Sequence, residues 1–167
     1  HPAECLTCQK TEVCELLKVA RYLGVEIDTV NRLRVFKTSH PVDSSNPAFN
    51  FDANKCILCG KCVRVCDEIQ GLGAISFINR GFQTRVSTFA SRVWAESICQ
   101  TCGDCVEHCP TGALVSKLHK VPDKEIQTLC PYCGVGCPIQ VGIRENSIVS
   151  IRGDSTSPVS RGGLCVK

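Results

Sequence analysis

The fifteen cysteines of this chain, taken with its first residue, fall into four groups of four, and no cysteine is left over. The groups are His1, Cys5, Cys8 and Cys14; Cys56, Cys59, Cys62 and Cys66; Cys99, Cys102, Cys105 and Cys109; and Cys130, Cys133, Cys137 and Cys165. This spacing constrains the fold more than any hydropathy pattern. Sulfurs in a C-x-x-C-x-x-C tract lie too close together to form disulfides without strain, and an odd cysteine count argues against a fully paired framework. Metal ligation in a reducing compartment, a cytoplasmic one, is the reading that remains. Four ligands per group is what a [4Fe–4S] cubane requires, so the chain reads as a scaffold for four such clusters.

Composition fits that reading. Aromatic residues make up 5% of the chain and methionine is absent, although the hydrophobic fraction of 43% is ordinary. Ligation must then supply folding free energy that apolar burial cannot, and the metal-free chain is expected to be largely unfolded. The formal charge is +3 with thiols counted as neutral. As ligands they are anionic, and four bound cubanes would bring the total to about −4. That removes the case for nucleic acid and makes the basic residues compensation for cluster charge. No apolar run is long enough to span a bilayer. A chain that begins on a motif histidine and ends just after a motif cysteine reads as part of a longer polypeptide.

The expected fold class is α+β, built from small modules. Residues 1–35 read as a ligand loop and a helix whose apolar positions are Val13, Leu16, Leu17, Ala20 and Leu23, with Thr11 as N-cap and Gly24 as stop. That face is expected to pack on the first cluster or a neighbouring domain. Residues 36–51, rich in Pro, Ser and Asn, read as a connector rather than an element. Residues 52–120 contain an internal repeat, KCILCGKCVRVCDEI and SICQTCGDCVEHCPTGAL. Between its halves, AISFINRGFQTRVSTF predicts a β-hairpin turning at Asn79-Arg80-Gly81. Short helices are expected after Cys62 and Cys105, with short strand pairs completing a two-fold pattern. Residues 121–167 predict a small antiparallel sheet around Glu145-Asn146 and a loop that returns Cys165 to its group.

The middle pair is the strongest signal. In a C-x2-C-x2-C-x3-C run the first three cysteines wrap one cubane and the fourth reaches the other. Cys56, Cys59, Cys62 and Cys109 are therefore expected on one cluster, and Cys99, Cys102, Cys105 and Cys66 on its partner. Pro110 follows Cys109, but Asp67 follows Cys66, a departure that loosens one turn without removing a ligand. A zinc ribbon is the competing reading, and it favours separated C-x2-C pairs. In the first group a neutral imidazole in place of a thiolate lowers the cluster's negative charge and eases reduction. The competing reading there is a three-cysteine or zinc site with His1 as a bystander. In the fourth group, CPYCGVGC, Gly134 and Gly136 allow tight folding, and a zinc knuckle competes. Of the other histidines, His40 and His119 carry no ligand role, and His108 reads as a residue beside a ligand or on the surface. The acidic residues show no catalytic pair.

These strings also resemble known ones. HPAECLTCQKTEVC resembles the histidine-plus-three-cysteine segment of the large iron–sulfur subunit of respiratory complex I and of iron-only hydrogenases. The tandem repeat resembles that of those hydrogenases and of cytoplasmic formate dehydrogenases. LCPYCGVGCPIQV with GGLCVK resembles the N-terminal cluster domain of molybdopterin oxidoreductases. In this order, the three are similar to the N-terminal region of the catalytic alpha subunit of NAD-linked or hydrogenase-linked formate dehydrogenases.

The resemblance implies an electron-transfer wire between a molybdenum or tungsten bis-pterin site, downstream of Lys167, and a flavin, NAD or hydrogenase partner. It also implies a [2Fe–2S] domain upstream, and a pterin-side role for Lys167, two positions after Cys165. The fragment itself would hold no catalytic residue. A stand-alone polyferredoxin and another molybdopterin oxidoreductase stay open as alternatives.

Overall fold

A computed structural model describes residues 8–26, 39–117 and 122–165. Helix α1, Glu15–Tyr22, starts later than the sequence suggests: Cys14 is its N-cap, because the ligand loop runs on to that residue. Thr11 is used inside the loop instead, where its backbone N–H and its hydroxyl both donate to Cys8 O at 3.2 and 2.7 Å. The stop is at Gly24, as the sequence predicts. Gly24 N donates to Arg21 O and Val25 N to Ala20 O, a Schellman closure that needs the glycine's φ of +62°. No residue of α1 is fully buried, and Leu16, Leu17 and Ala20 of the expected face are half-buried.

The segment expected to be a connector contains a strand. β1, Phe49–Phe51, pairs antiparallel with β4, Leu114–Ser116, in the register Phe49 to Ser116 and Phe51 to Leu114. Phe49 is buried at 1% exposure and meets Trp94 edge-on, with ring centroids 5.0 Å apart. The sequence hides this strand because three residues are too few to show alternation, and Phe49 and Phe51 sit directly after a Pro- and Ser-rich stretch.

The predicted hairpin is present as β2, Ile75–Ile78, and β3, Arg85–Thr88, paired antiparallel, but its connection is longer than the expected Asn79-Arg80-Gly81 turn: it runs over residues 79–84 and includes a 3-10 turn, Gly81–Gln83. Helices α2, Lys61–Arg64, and α3, Asp104–Glu107, include Cys62 and Cys105 rather than follow them. α2 runs on into one π turn, Val65–Ile69, which contains Cys66 and Asp67. Phe49, Val65, Ile75, Val86, Trp94, Val106 and Leu114 form the core between the two strand pairs and these helices, and Cys62 and Cys105 belong to it.

The last module is a three-stranded antiparallel sheet. It consists of β5, Lys124–Leu129, β6, Pro138–Arg144, and β7, Ser147–Gly153, in that spatial order. β6 and β7 are joined at Glu145-Asn146, which have φ of +49° and +61°, the two-residue turn whose twist suits a hairpin.

Candidate cluster-binding sites

The two halves of the repeat share one backbone design. Leu58 and Thr101, two residues after the leading cysteines, have φ of +56° and +59°, and Gly60 and Gly103 have φ of +73° and +81°. Each reversal turns an amide toward the leading sulfur: Leu58 N donates to Cys56 Sγ at 3.4 Å, and Thr101 N to Cys99 Sγ at 3.4 Å. Amides aimed at sulfur favour its anionic form, which is the ligating form.

The sulfurs gather across the repeat. Cys56, Cys59, Cys62 and Cys109 line one hollow, together with Gly60, Pro110 and Thr111. Burial pushes the Cys62 thiol up to about 12, and Cys56, Cys109 and Cys59 add to the shift as neighbouring charges. Burial raises the Cys105 thiol as well, with Cys102, Cys62, Cys99 and Cys66 as its charged neighbours. Cys56, Cys99 and Cys102 are raised for the same leading reason. Each triplet thus meets the fourth cysteine of the other half, and Cys62 faces both sets. Thiols held neutral by burial lose their protons to solvent readily only when a bound cation stabilises the thiolate.

Among the described residues, no three His, Cys, Asp or Glu side chains converge on one metal-ion position. Four cysteines line one hollow, and an all-thiolate donor set of this kind fits a cubane.

Of the first group, Cys8 and Cys14 are described, and His1 and Cys5 lie outside the described residues. The loop docks on the second half of the repeat. Lys10 Nζ donates to Val106 O at 3.0 Å and to Cys109 O at 2.9 Å, and Glu15 N donates to Pro110 O at 3.2 Å. Cys8 Sγ lies so close to Gly112 that a Cβ there would be 2.6 Å from it.

In the fourth group, Cys130, Cys133 and Cys137 occupy the connection between β5 and β6, closed by Cys130 N donating to Cys137 O at 2.9 Å. Of its two glycines, Gly136 has φ of +67°, whereas Gly134 has open space around it and no such requirement. Cys165 is exposed, on a loop that Asp154 starts. Asp154 accepts from the Thr156 hydroxyl at 2.7 Å, from Thr156 N at 2.9 Å and from Gln127 Nε2, and these bonds, the hydroxyl first, hold its carboxyl below the usual range. Gly153 and Gly162 touch so closely that a Cβ on Gly153 would be 2.3 Å from Gly162 O. Lys167 lies outside the described residues.

Several polar residues beside the cysteines do not stand out in the sequence. Asn46, buried in the segment expected to be a connector, directs Nδ2 to Thr101 Oγ1 at 3.2 Å and lies 3.9 Å from Cys99 Sγ. Asp104 is buried and is bonded by Gln70. One signal was available: when the halves of the repeat are aligned, Lys61 stands where the other half has Asp104. His108 Nδ1 lies 2.9 Å from Asp104 O, beside the second quartet, as expected for a non-ligand.

Comparison with known proteins agrees with this geometry at the level of domains. Residues 123–167 match the molybdopterin oxidoreductase Fe4S4 domain, and residues 46–115 match the ferredoxin-like domain of NADH-quinone oxidoreductase subunit 3. Two iron–sulfur domain families thus match in tandem along the chain. Its whole length is 35% identical to 20% of an NADH-quinone oxidoreductase subunit of Rhizobium meliloti. Over 99% of its length it is 33% identical to 19% of the NADPH-Fe(3+) oxidoreductase alpha subunit of Geobacter sulfurreducens. A putative formate dehydrogenase of Staphylococcus haemolyticus is 23% identical over the whole chain and 21% of its own length. The chain thus spans about a fifth of the length of these relatives. Among solved structures, a chain of an NAD+-reducing [NiFe]-hydrogenase matches 69% of this chain and 48% of its own, at 29% identity and a TM-score of 0.61.

The iron–sulfur reading therefore holds at the level of domains, and the relatives themselves are named as oxidoreductases. The formate assignment does not lead: the formate dehydrogenase relative is less similar than the NADH- and NADPH-named ones. Among the described residues, no helix is long and apolar enough to cross a membrane.

Proposed function

We propose that this chain is an electron relay holding four [4Fe–4S] clusters within a larger cytoplasmic oxidoreductase that uses NADH or NADPH. Bound clusters would supply reversible one-electron storage. The residues that would hold them are His1, Cys5, Cys8 and Cys14; Cys56, Cys59, Cys62 and Cys109; Cys99, Cys102, Cys105 and Cys66; and Cys130, Cys133, Cys137 and Cys165. The observation that carries the reading is the exchange of Cys66 and Cys109 between the two halves, since an interleaved pair of quartets is what a two-cluster ferredoxin needs.

The loop contacts suggest an order. Lys10 and Glu15 tie the first group to the segment carrying Cys109, while Gln70 ties the Cys165 loop to the half carrying Cys66 and Cys105. The first group would then adjoin the Cys109 quartet, and the fourth group the Cys66 quartet. Burial and amide donors would tune each site.

Beyond the Cys165 end, the match to the molybdopterin oxidoreductase Fe4S4 domain supports a molybdenum or tungsten bis-pterin site, with Lys167 between it and the fourth cluster. At the His1 end, the NADH-named relative and the NAD+-reducing hydrogenase support an NAD-binding or hydrogenase partner subunit; a flavin there and an upstream [2Fe–2S] domain are what the family resemblance implies. Formate oxidation or carbon dioxide reduction at the pterin site is the second reading, favoured by the formate dehydrogenase relative.

The test is Cys133→Ser in the full-length assembly. Reduction of the remaining clusters by NADH or NADPH should survive, while electron exchange with the pterin end should be lost. Unchanged exchange would contradict the relay. Addition of formate separates the two readings: reduction of the clusters by formate supports the second.

A further inference from the structure

Gln70 closes the π turn that carries Cys66, its backbone N–H donating to Val65 O at 3.0 Å. Its side-chain nitrogen lies 2.5 Å from Asp104 Oδ2 and 2.6 Å from Leu164 O. A primary amide has two N–H groups, so both bonds form at once, and the one to a carboxylate is charge-assisted. Asp104 is 6% exposed and directly precedes Cys105, and Leu164 directly precedes Cys165. One half-buried side chain therefore joins segments 94 residues apart, and both its partners are sequence neighbours of proposed ligands.

We propose that Gln70 is a positioning residue that seats the Cys165 loop on the second quartet, with Asp104 as its anchor. The proposal rests on the relay reading. The contact of Gly153 with Gly162 holds the loop to its own sheet, and Gln70 holds it to the ferredoxin pair. Asp104 fixes the amide rotamer, so the second N–H is already aimed when the Leu164 carbonyl arrives. This gives the buried carboxylate a function that its counterpart Lys61, bonded outward to Glu15 at 3.2 Å, does not have.

The test uses the full-length holoprotein and Gln70→Glu, which keeps the shape, removes both N–H groups and sets a second carboxylate against Asp104. Hydrogen exchange of residues 157–165 and electron exchange between the fourth cluster and the ferredoxin pair are both measured, with iron and sulfide content alongside. Exchange in the loop should quicken by about fivefold, the equilibrium weight of the one neutral hydrogen bond to Leu164 O. Electron exchange should slow while iron is unchanged, and Gln70→Lys, which restores a donor, should recover both. If Gln70→Glu loses iron, Gln70→Ala gives the same comparison without charge repulsion. Native exchange in the loop and native electron exchange in both variants would overturn the proposal. A wild-type protein with no cluster on Cys130, Cys133, Cys137 and Cys165 would instead overturn the relay reading, and the proposal with it.

Discussion

A Cβ added at Gly112 would lie 2.6 Å from Cys8 Sγ, a separation that real side chains essentially never show. Gly112→Ala must therefore move either a proposed ligand or the loop after Cys109. We expect a loss of about 1–3 kcal/mol in thermal unfolding of the holoprotein, the usual range for overpacking, together with selective loss of the first cluster. Gly134→Ala, with nothing within 4 Å of the new atom, should stay within about 0.5 kcal/mol of wild type. The string CGVGC gives no means of ranking its two glycines, because the requirement lies in the sign of φ at Gly136. Asp43 is another residue whose part only the structure shows. Burial raises its carboxyl, but hydrogen bonds from Ser45 and from Trp94 N, with the Lys117 charge, outweigh that and hold it below its ordinary value. A depressed carboxylate stabilises the fold above the unfolded pKa of about 3.9 and loses that contribution as pH falls through the lower folded value. Asp43→Asn should be less stable than wild type near neutral pH, and the gap should close on acidification, as read from the midpoint of cluster bleaching on heating.

Strands and helices were legible where the pattern ran long enough. β2 with β3, and β6 with β7, run over four to seven residues around turn residues, and both strand pairs stand where the sequence places them, the first with a longer connection than the expected three-residue turn. β1 did not show, since Phe49–Phe51 is too short for a period and only its pairing with β4 defines it. Phe49→Ala should nevertheless cost about 3–5 kcal/mol, because the ring is buried against Trp94 at the centre of the core. In α1 the period marks Leu16, Leu17 and Ala20, which are half-buried, and the segment is held by its loop through Lys10 and Glu15 N. Periodicity reports which residues share a face and not what covers it. At the β6–β7 turn, Glu145 takes φ of +49° without being glycine. Glu145→Gly should stabilise the sheet by up to about 1 kcal/mol, seen as a higher melting temperature.

The ligand groups were read from spacing alone, whereas the contacts that set them in order come from the folded chain. The Lys10 bonds to Val106 O and Cys109 O, and the Gln70 bond to Leu164 O, join segments more than ninety residues apart. Sequence patterns carry little of such pairings, because one polar residue at each end leaves no repeat to find. The exchange of Cys66 and Cys109 gives a sharp expectation for the whole assembly. Cys109→Ser should remove the cluster of Cys56, Cys59 and Cys62, and Cys66→Ser that of Cys99, Cys102 and Cys105, each lowering iron by about four per chain. A self-contained arrangement of each run would give the reverse assignment, and the spectra of the cluster left behind distinguish the two. The most direct test of the relay is the anaerobic content of iron, acid-labile sulfide and zinc per chain of residues 1–167 within the full-length protein, after subtracting the metal of the other domains. The account predicts about sixteen irons and sixteen sulfides with no zinc. About eight irons with stoichiometric zinc would leave only the ferredoxin pair and contradict a continuous path from His1 to Cys165.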